Sequence, residues 1–457
     1  MFDQKQKIII CGTLCCLMSS VTLAVEAKNP GQVKNKLEAL EEKNAVLELR
    51  LKKLEHAMQN VLTRRDNSPV TISSEVARKT ITQATPIKKA KNKLNVKVSG
   101  YIKADVLYDL DAQSGDRINY GRIPLNGSTS DKKTGHFRMH ARESRISIQS
   151  KIDTGMGKLK TMVEGDFYSG GTNSPAGSEV ISNSVNFRLR HAYVQLGGWL
   201  FGQTWSNYVD VKSFPENLDF SNDTGQAFLR QSQLKYTMPY NDFVLSFSLE
   251  NPEADFIDDT GAKRSNGRDA IPDVTGRILY KKSWGHVSLQ SIFRKLTVDN
   301  GIFTDSTTGF GLGLSGKIHI FRNDQLRFHL SAGDGVGRYI QEAANTAAAV
   351  SGTGTDNLHM ESQRATGGYV GYQHRWTENV RSNFNSGFLN IDWNESVLGS
   401  AVTDIQNKHL FSYHANIIWQ LMPAAELGIE FSKAKRKQVN GLSGAVKRLQ
   451  FSAKYKF

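Results

Sequence analysis

The sequence predicts an all-β chain: a transmembrane, sixteen-stranded antiparallel β-barrel preceded by a short N-terminal coiled coil. Three observations carry that prediction. Polar and apolar residues alternate strictly to the last residue, with Leu449, Phe451, Ala453, Tyr455 and Phe457 opposed to Arg448, Gln450, Ser452, Lys454 and Lys456. The connections between such segments alternate between short and long. A heptad of apolar residues precedes the first of them. A strand with an oily face and a charged face suits a closed barrel in a bilayer around a watery lumen.

The N-terminus reads as a secretory leader. Lys5 and Lys7 supply the basic start, Ile8 to Val25 the apolar segment, and cleavage is expected after Ala27, giving a signal peptide over 1–27. All three cysteines, Cys11, Cys15 and Cys16, fall inside it. The mature chain would then hold no thiol, which excludes disulfides, thiol catalysis and Cys-ligated zinc. Beyond the leader, no stretch holds the roughly 18 apolar residues that a spanning helix needs. A net charge of +14 on an exported chain favours anionic partners, and export argues against nucleic acid.

Residues 28–62 are expected to form a periplasmic coiled coil that sets identical copies side by side. Leu37, Asn44, Leu51 and Met58 take a positions; Val33, Leu40, Leu47, Leu54 and Val61 take d. Lys36, Lys43 and Arg50 at g would meet Glu41, Glu48 and Glu55 at e of a neighbouring copy, and Asn44 would fix register. About four heptads are marginal alone, so the barrels are expected to help hold the copies together. Residues 63–95 form a basic tether with Pro69 and Pro86, ending in Lys88, Lys89, Lys91 and Lys93. Its cations, like the coil, are candidates for contact with anionic cell wall or lipid headgroups; a solvated linker is the plainer reading.

The barrel occupies 96–457. Alternating segments fall near 96–110, 137–151, 157–168, 186–196, 199–204, 230–238, 243–250, 273–281, 284–296, 308–321, 325–333, 363–376, 380–390, 408–421, 425–434 and 446–457. Short turns such as Gly197-Gly198 and Thr377-Glu378-Asn379 follow the even-numbered strands. Long loops such as 111–136, 251–272 and 334–362 follow the odd ones. That asymmetry of rims, with both barrel ends on the short-turn side, belongs to the outer membrane of Gram-negative bacteria. Trp199, Trp284, Trp376 and Trp419 sit beside short turns, where an aromatic girdle belongs.

If apolar residues face lipid, the lumen is cationic. Arg145, Lys160, Arg188, Arg190, Arg230, Arg327 and Arg381 are expected on the pore wall, with Glu143, Glu164 and Asp166 among them. Arg142 shares a face with Arg138, His140, Ile146 and Ile148, which places it in the vestibule. Guanidiniums on such a wall attract and fork carboxylates. Loop 205–229 carries aromatics and acids rather than small residues, and is the candidate to fold inward and narrow the lumen. Its Glu216, Asp219 and Asp223 would face the arginines and set up a transverse field.

The leader, the coil, the stretch "FRLRHAYVQL…WLFGQTWSNY…FPENLDF…LRQSQLKYTMP" and the terminal Phe together resemble the DcaP-like outer-membrane porins of Gram-negative bacteria. The resemblance is most specific over Asn186 to Pro239. It implies a homotrimer of sixteen-stranded barrels in outer-membrane lipid, passing small anionic solutes, notably dicarboxylates. The family's cationic eyelet would map onto Arg188, Arg190 and Arg230, with Arg142 and Arg145 nearby.

The function expected is therefore passive diffusion of small hydrophilic, preferentially anionic solutes, without catalysis, cofactor or metal. Two rivals remain. A barrel enzyme, phospholipase or protease, would need a nucleophile and base such as Ser144 with His140 or Ser412 with His414. His136 and His140 lie roughly 13 Å apart on a strand, too far to share a metal ion. An adhesin would have few strands per chain and a large passenger, the reverse of these proportions.

Overall fold

The structure is a computed structural model that describes residues 94–168, 183, 185–265, 267–321, 323–353 and 357–457. The expected leader, the coil with Leu37, Leu40, Asn44, Leu47, Leu51, Leu54 and Met58, and the tether through Lys93 lie outside the described residues.

Sixteen antiparallel staves follow one another in chain order: β1 (Asn95–Asp109), β2 (His136–His140 and Arg145–Thr154), β3 (Gly157–Asp166), β4 (Arg188–Leu196), β5 (Trp199–Trp205), β6 (Arg230–Tyr240), β7 (Phe243–Glu250) and β8 (Asp273–Lys282). The second half comprises β9 (Gly285–Asp299), β10 (Thr304–Ile320), β11 (Asp324–Asp334), β12 (Arg364–Arg375), β13 (Val380–Asp392), β14 (Asn407–Met422), β15 (Ala425–Gln438) and β16 (Ser443–Lys456). The barrel closes where β1 pairs with β16, from Tyr101 opposite Lys456 to Asp109 opposite Arg448. Closure leaves no sheet edge to satisfy in hydrocarbon. The two segments of β2 pair with successive parts of β1 and so form one stave.

The alternation sorts as the sequence predicts. On β16, Leu449, Phe451 and Tyr455 are exposed on the outer face, while Arg448, Gln450 and Ser452 are buried inside. Trp199, Trp284, Trp376 and Trp419 are all exposed on the outer face. Charged side chains turned toward lipid at midplane would cost roughly 2–4 kcal/mol each for Arg or Lys, which fixes the inward assignment.

Strand β2 departs from expectation. Its register along β1 jumps from Asp105 opposite His140 to Tyr101 opposite Arg145, five residues against four. The extra residue in 141–144 is a bulge that reverses the facing of everything after it. Phe137, Met139, Ile146 and Ile148 all become exposed outside. Arg138 and His140 therefore do not share a face with Ile146 and Ile148.

The long loops carry structure that their small-residue composition did not announce. Phe256–Asp258, Lys263–Arg264, Ala348–Ser351 and His359–Ser362 form a separate four-stranded sheet. Its Ile257 and Ala349 pack with Val397 and Leu398 of the loop after β13. Arg294 of β9, fully buried, ties this cap to the barrel through Asp255 at 3.1 Å and Asp273 at 3.1 Å. Part of the lumen is filled by an apolar core in which Tyr120, Tyr208, Tyr339 and Ile340 from loops meet Ile292, Leu389, Ile391 and Leu410 from strands.

Candidate functional site: the pore constriction

Loop 205–229 folds into the barrel and runs along the inner wall. Asn207 N–H donates to Glu250 Oε1 on β7 at 2.9 Å. Asp210 takes His286 Nε2 of β9 at 2.7 Å and Ser315 Oγ of β10 at 3.0 Å. Ser213 Oγ meets Tyr369 OH of β12 at 2.8 Å. Farther along, Leu218 N–H donates to Glu430 Oε2 of β15 at 2.6 Å, and Leu218 O accepts Lys103 Nζ of β1 at 2.7 Å. Thr224 N–H returns to Ser412 Oγ of β14 at 3.1 Å. Backbone groups that would otherwise be orphaned in the lumen are satisfied by strand side chains.

Small residues on the wall make the seat. Gly225 has φ +73°, a left-handed conformation, and a Cβ there would overlap Phe388 O. A Cβ on Gly367 would stand 2.9 Å from Gly225 Cα, so two glycines let loop and strand touch backbone to backbone.

Two of the loop's acids, Glu216 and Asp223, do not face the arginines across the opening, contrary to the sequence expectation. Glu216 pairs with Arg381 at 2.6 Å and accepts Gln373 Nε2 at 2.7 Å. Asp219 pairs with Arg448 at 3.0 Å, although it also borders the opening. Asp223, buried, accepts Asn217 Nδ2 at 3.2 Å and Ser412 Oγ at 3.3 Å. Carboxylates desolvated by loop docking are held by the wall they dock on. Burial raises the Glu216 carboxyl, but Arg381 outweighs it and leaves the group below its ordinary range. Asp223 has no arginine or lysine partner among the described residues, and burial, opposed by His414, pushes it up to about 6.

The opposite wall is the cationic one. Exposed Phe187 and Leu189 leave Arg188 and Arg190 turned inward on β4. Arg188 forks Asp166 with two contacts of 2.9 Å. Arg190 bridges Glu164 at 2.9 Å and Asp166 at 2.7 Å. Arg145 of β2 lies 3.5 Å from Glu164, and its Nε, though buried, has no hydrogen-bond partner among the described residues. Arg230 of β6 has no carboxylate partner among the described residues; its guanidinium lies 4.4 Å from the Trp205 ring centroid and 5.1 Å from that of Phe228. Three guanidiniums thus share two carboxylates, and the fourth, that of Arg230, has none among the described residues. Glu143, on the same side, is taken by Lys103. A cavity of about 340 Å³ separates this wall from the loop, lined by Arg145 and Arg190, by Glu143, Glu164 and Asp219, and by His191 with aromatic Trp205, Phe214, Phe220 and Phe228.

Other expected wall residues lie elsewhere. Arg142 and Arg138 both pair with Asp116 of the loop after β1, on the long-loop side. Arg327 donates to Phe214 O and Arg381 binds Glu216, so both serve as anchors under the loop. Lys160 sits four residues along β3 from Glu164, roughly 13 Å toward the short-turn rim. Ser412 is engaged by Thr224 and Asp223, and Ser144 by Lys103 N–H at 3.0 Å; neither hydroxyl meets the expected histidine. The aromatic bed of the arginines is absent from the sequence expectation. Its signal lay in the loop itself, where Phe214, Phe220 and Phe228 recur beside Trp205.

Residues 32–457 match the family described as DcaP outer membrane protein. The chain belongs to the DcaP outer membrane protein family. The DcaP family porins are outer-membrane channels, and this chain is an outer-membrane porin of a Gram-negative envelope. Its fold is similar to that of the outer membrane channel DcaP of Acinetobacter baumannii, with TM-score 0.67 and 21% identity over 80% of this chain and 97% of that one. The anion-selective porin from Comamonas acidovorans shares the architecture at TM-score 0.52 and 13% identity, over 80% of this chain and all of that one. The porin Omp2b of Brucella suis is 25% identical over 206 residues; the match spans 42% of this chain and half the length of that relative.

Proposed function

We propose that this DcaP-family porin passes small hydrophilic solutes by passive diffusion and favours anions, dicarboxylates among them. The observation that carries the reading is the row of guanidiniums on one wall of the constriction: Arg145, Arg188, Arg190 and Arg230 stand beside Glu164 and Asp166, while Glu143 is paired with Lys103, Asp219 with Arg448, and Glu216 and Asp223 turn into the far wall. Asp166 and Glu164 hold Arg188 and Arg190 in place, while Arg230 has no carboxylate partner among the described residues. A carboxylate entering the opening meets planar forks already oriented. Its binding stays weak because water and the neighbouring acids compete, which conduction requires. A dianion gains from two guanidiniums at once.

The same reading makes the protein a homotrimer, with the coil over 28–62 contributing Leu37, Leu40, Asn44, Leu47, Leu51, Leu54 and Met58 to the threefold seam. The coil and basic tether would then hang in the periplasm within reach of anionic cell wall. Planar-bilayer recording on the purified full chain tests both parts. Conductance should appear in groups of three equal steps, and a salt gradient should give a reversal potential of anion-selective sign. Cation selectivity would end the arginine reading while leaving the barrel intact.

A further inference from the structure

Outside the pore, β14, β15 and β16 carry a second concentration of cations. Ser432 and Ala434 are buried inside the barrel, so Lys433 and Lys435 project from the outer face of β15, with Lys437 next in the same row. Val446 and Arg448 likewise point in, which turns Lys447 of β16 outward. Lys433 stands directly opposite Lys447, and Lys437 opposite His409. Like charges paired across strands are destabilising, and alternate lysines on one strand are only about 7 Å apart. Lys447 is relieved by Asp111 at 3.1 Å. Lys433, Lys435 and Lys437 have no ion pair among the described residues.

Their position gives the row meaning. These lysines lie at the long-loop end of their strands, immediately beyond an apolar band of Phe431, Ile429, Phe411, Tyr413, Leu449 and Phe451. That end is the outer-leaflet edge of an outer-membrane barrel. Below the row, Val370, Phe384, Ser386, Tyr413, Ala415 and Phe431 enclose a cleft of about 340 Å³ on the lipid-facing surface. Tyr413 is the cross-strand partner of Lys433, so cleft and cations are contiguous.

We propose that Lys433, Lys435, Lys437 and Lys447 bind the phosphates of an outer-leaflet glycolipid of the lipid A type, one acyl chain of which lies in the cleft between Phe384 and Phe431. Charge complementarity selects the headgroup, and continuity with the apolar band selects a lipid over a free anion. Lysine stems lie along the aromatic rings while their ammonium groups reach the phosphates. The site is on the outer surface and does not depend on what crosses the pore.

The test titrates diphosphorylated lipid A into the folded full chain in detergent and counts bound lipid by native mass spectrometry. K433Q/K435Q/K437Q should weaken binding about a hundredfold, since each lysine near an anionic surface is worth about a factor of five. A415W, which fills the cleft and leaves every charge, should also weaken it. Dephosphorylated lipid A should bind no better to wild type than to the triple variant, and the reversal potential of the triple variant should match wild type. Lipid A binding unchanged in the triple variant would overturn the proposal. So would equal affinity for the dephosphorylated lipid, or full displacement by millimolar inorganic phosphate, which would mark a free-anion site. Dissociation of the triple variant into monomers with lipid binding intact would assign the row to a contact between copies instead.

Discussion

Arg381 Nε stands 2.6 Å from Glu216 Oε2, so a strand cation and a loop anion latch the constriction loop to the wall opposite the eyelet. Asn416 Nδ2 adds a 2.7 Å bond to Glu216 O. The Glu216 side chain remains 36% exposed, and screening holds the pair to about 1 kcal/mol. Replacing Arg381 with Met should therefore leave the barrel folded but increase fluctuations of open-channel current. Glu216 titrates below its ordinary range, so its contribution is present above that range and is lost as pH falls through the lowered value. With Asp223 replaced by Asn, so that Glu216 is the loop carboxyl left to report, current noise should stay flat from neutral pH to about 5 and rise only in stronger acid. Noise equal in wild type and R381M at every pH would count against the latch.

Arg230 separates selectivity from folding better than its neighbours. Removing Arg190 would leave Glu164 and Asp166 buried with less compensation, and such losses cost about 3–5 kcal/mol. Arg230 rests on Trp205 and Phe228, contacts worth about 1–2 kcal/mol. R230Q should lower anion preference with little change in thermal denaturation. R188A/R190A should lower both. A reversal potential unaltered in R230Q would take Arg230 out of the eyelet.

Much of the barrel was legible because a period of two is a local property: each strand's lipid face, lumen face and turn can be read from about ten residues. Arg188 and Arg190 could be put on one face together, but Phe187, Leu189 and Tyr193 left the orientation of that strand open; the exposure of Phe187 and Leu189 settles it. Glu216, Asp219 and Asp223 were harder. The sequence marked their loop as unusual, but which wall it docks on depends on Arg381, Glu430 and Arg448, more than 160 residues away. The bulge at 141–144 was hidden for a related reason: one extra residue leaves composition untouched and reverses every side chain beyond it. The cap strands were hidden too, since Ala348 pairs in parallel with Phe256 and no short window contains both.

Asp223 offers a pH signature of loop docking. Burial lifts its carboxyl to about 6, against an ordinary value of 3.8, with His414 opposing and Glu430 adding to the shift. A raised folded value means that the stability tied to this proton is present below the ordinary value and lost as pH rises through about 6. Over that window the loss amounts to about 3 kcal/mol. D223N removes the titration at the expense of one hydrogen bond to Asn217 or Ser412. The stability of D223N relative to wild type should rise between pH 4 and 7 in denaturant unfolding of the detergent-folded protein. A difference that stays constant across that range would show that Asp223 is not the titrating group.

Gly225 tests whether the loop can be unseated without breaking the barrel. Valine there would have to adopt a φ of +73°, and its Cβ would overlap Phe388 O and lie 2.7 Å from Gly368 N. Strain of that kind costs about 1–3 kcal/mol before the overlap is counted. The strand ladder on either side owes nothing to Gly225, because β12 and β13 pair continuously from Arg364 opposite Asp392 to Arg375 opposite Arg381. G225V should therefore still run as a compact, heat-modifiable barrel on gels. Its loop should lose the Thr224 bond to Ser412, and the unseated segment should alter the opening beside Phe228. Single-channel conductance should shift and become noisier in G225V, with a smaller change in G225A. Wild-type conductance in G225V, with an unshifted thermal transition, would mean that the close backbone contact between Gly225 and Gly367 does not hold the constriction in place.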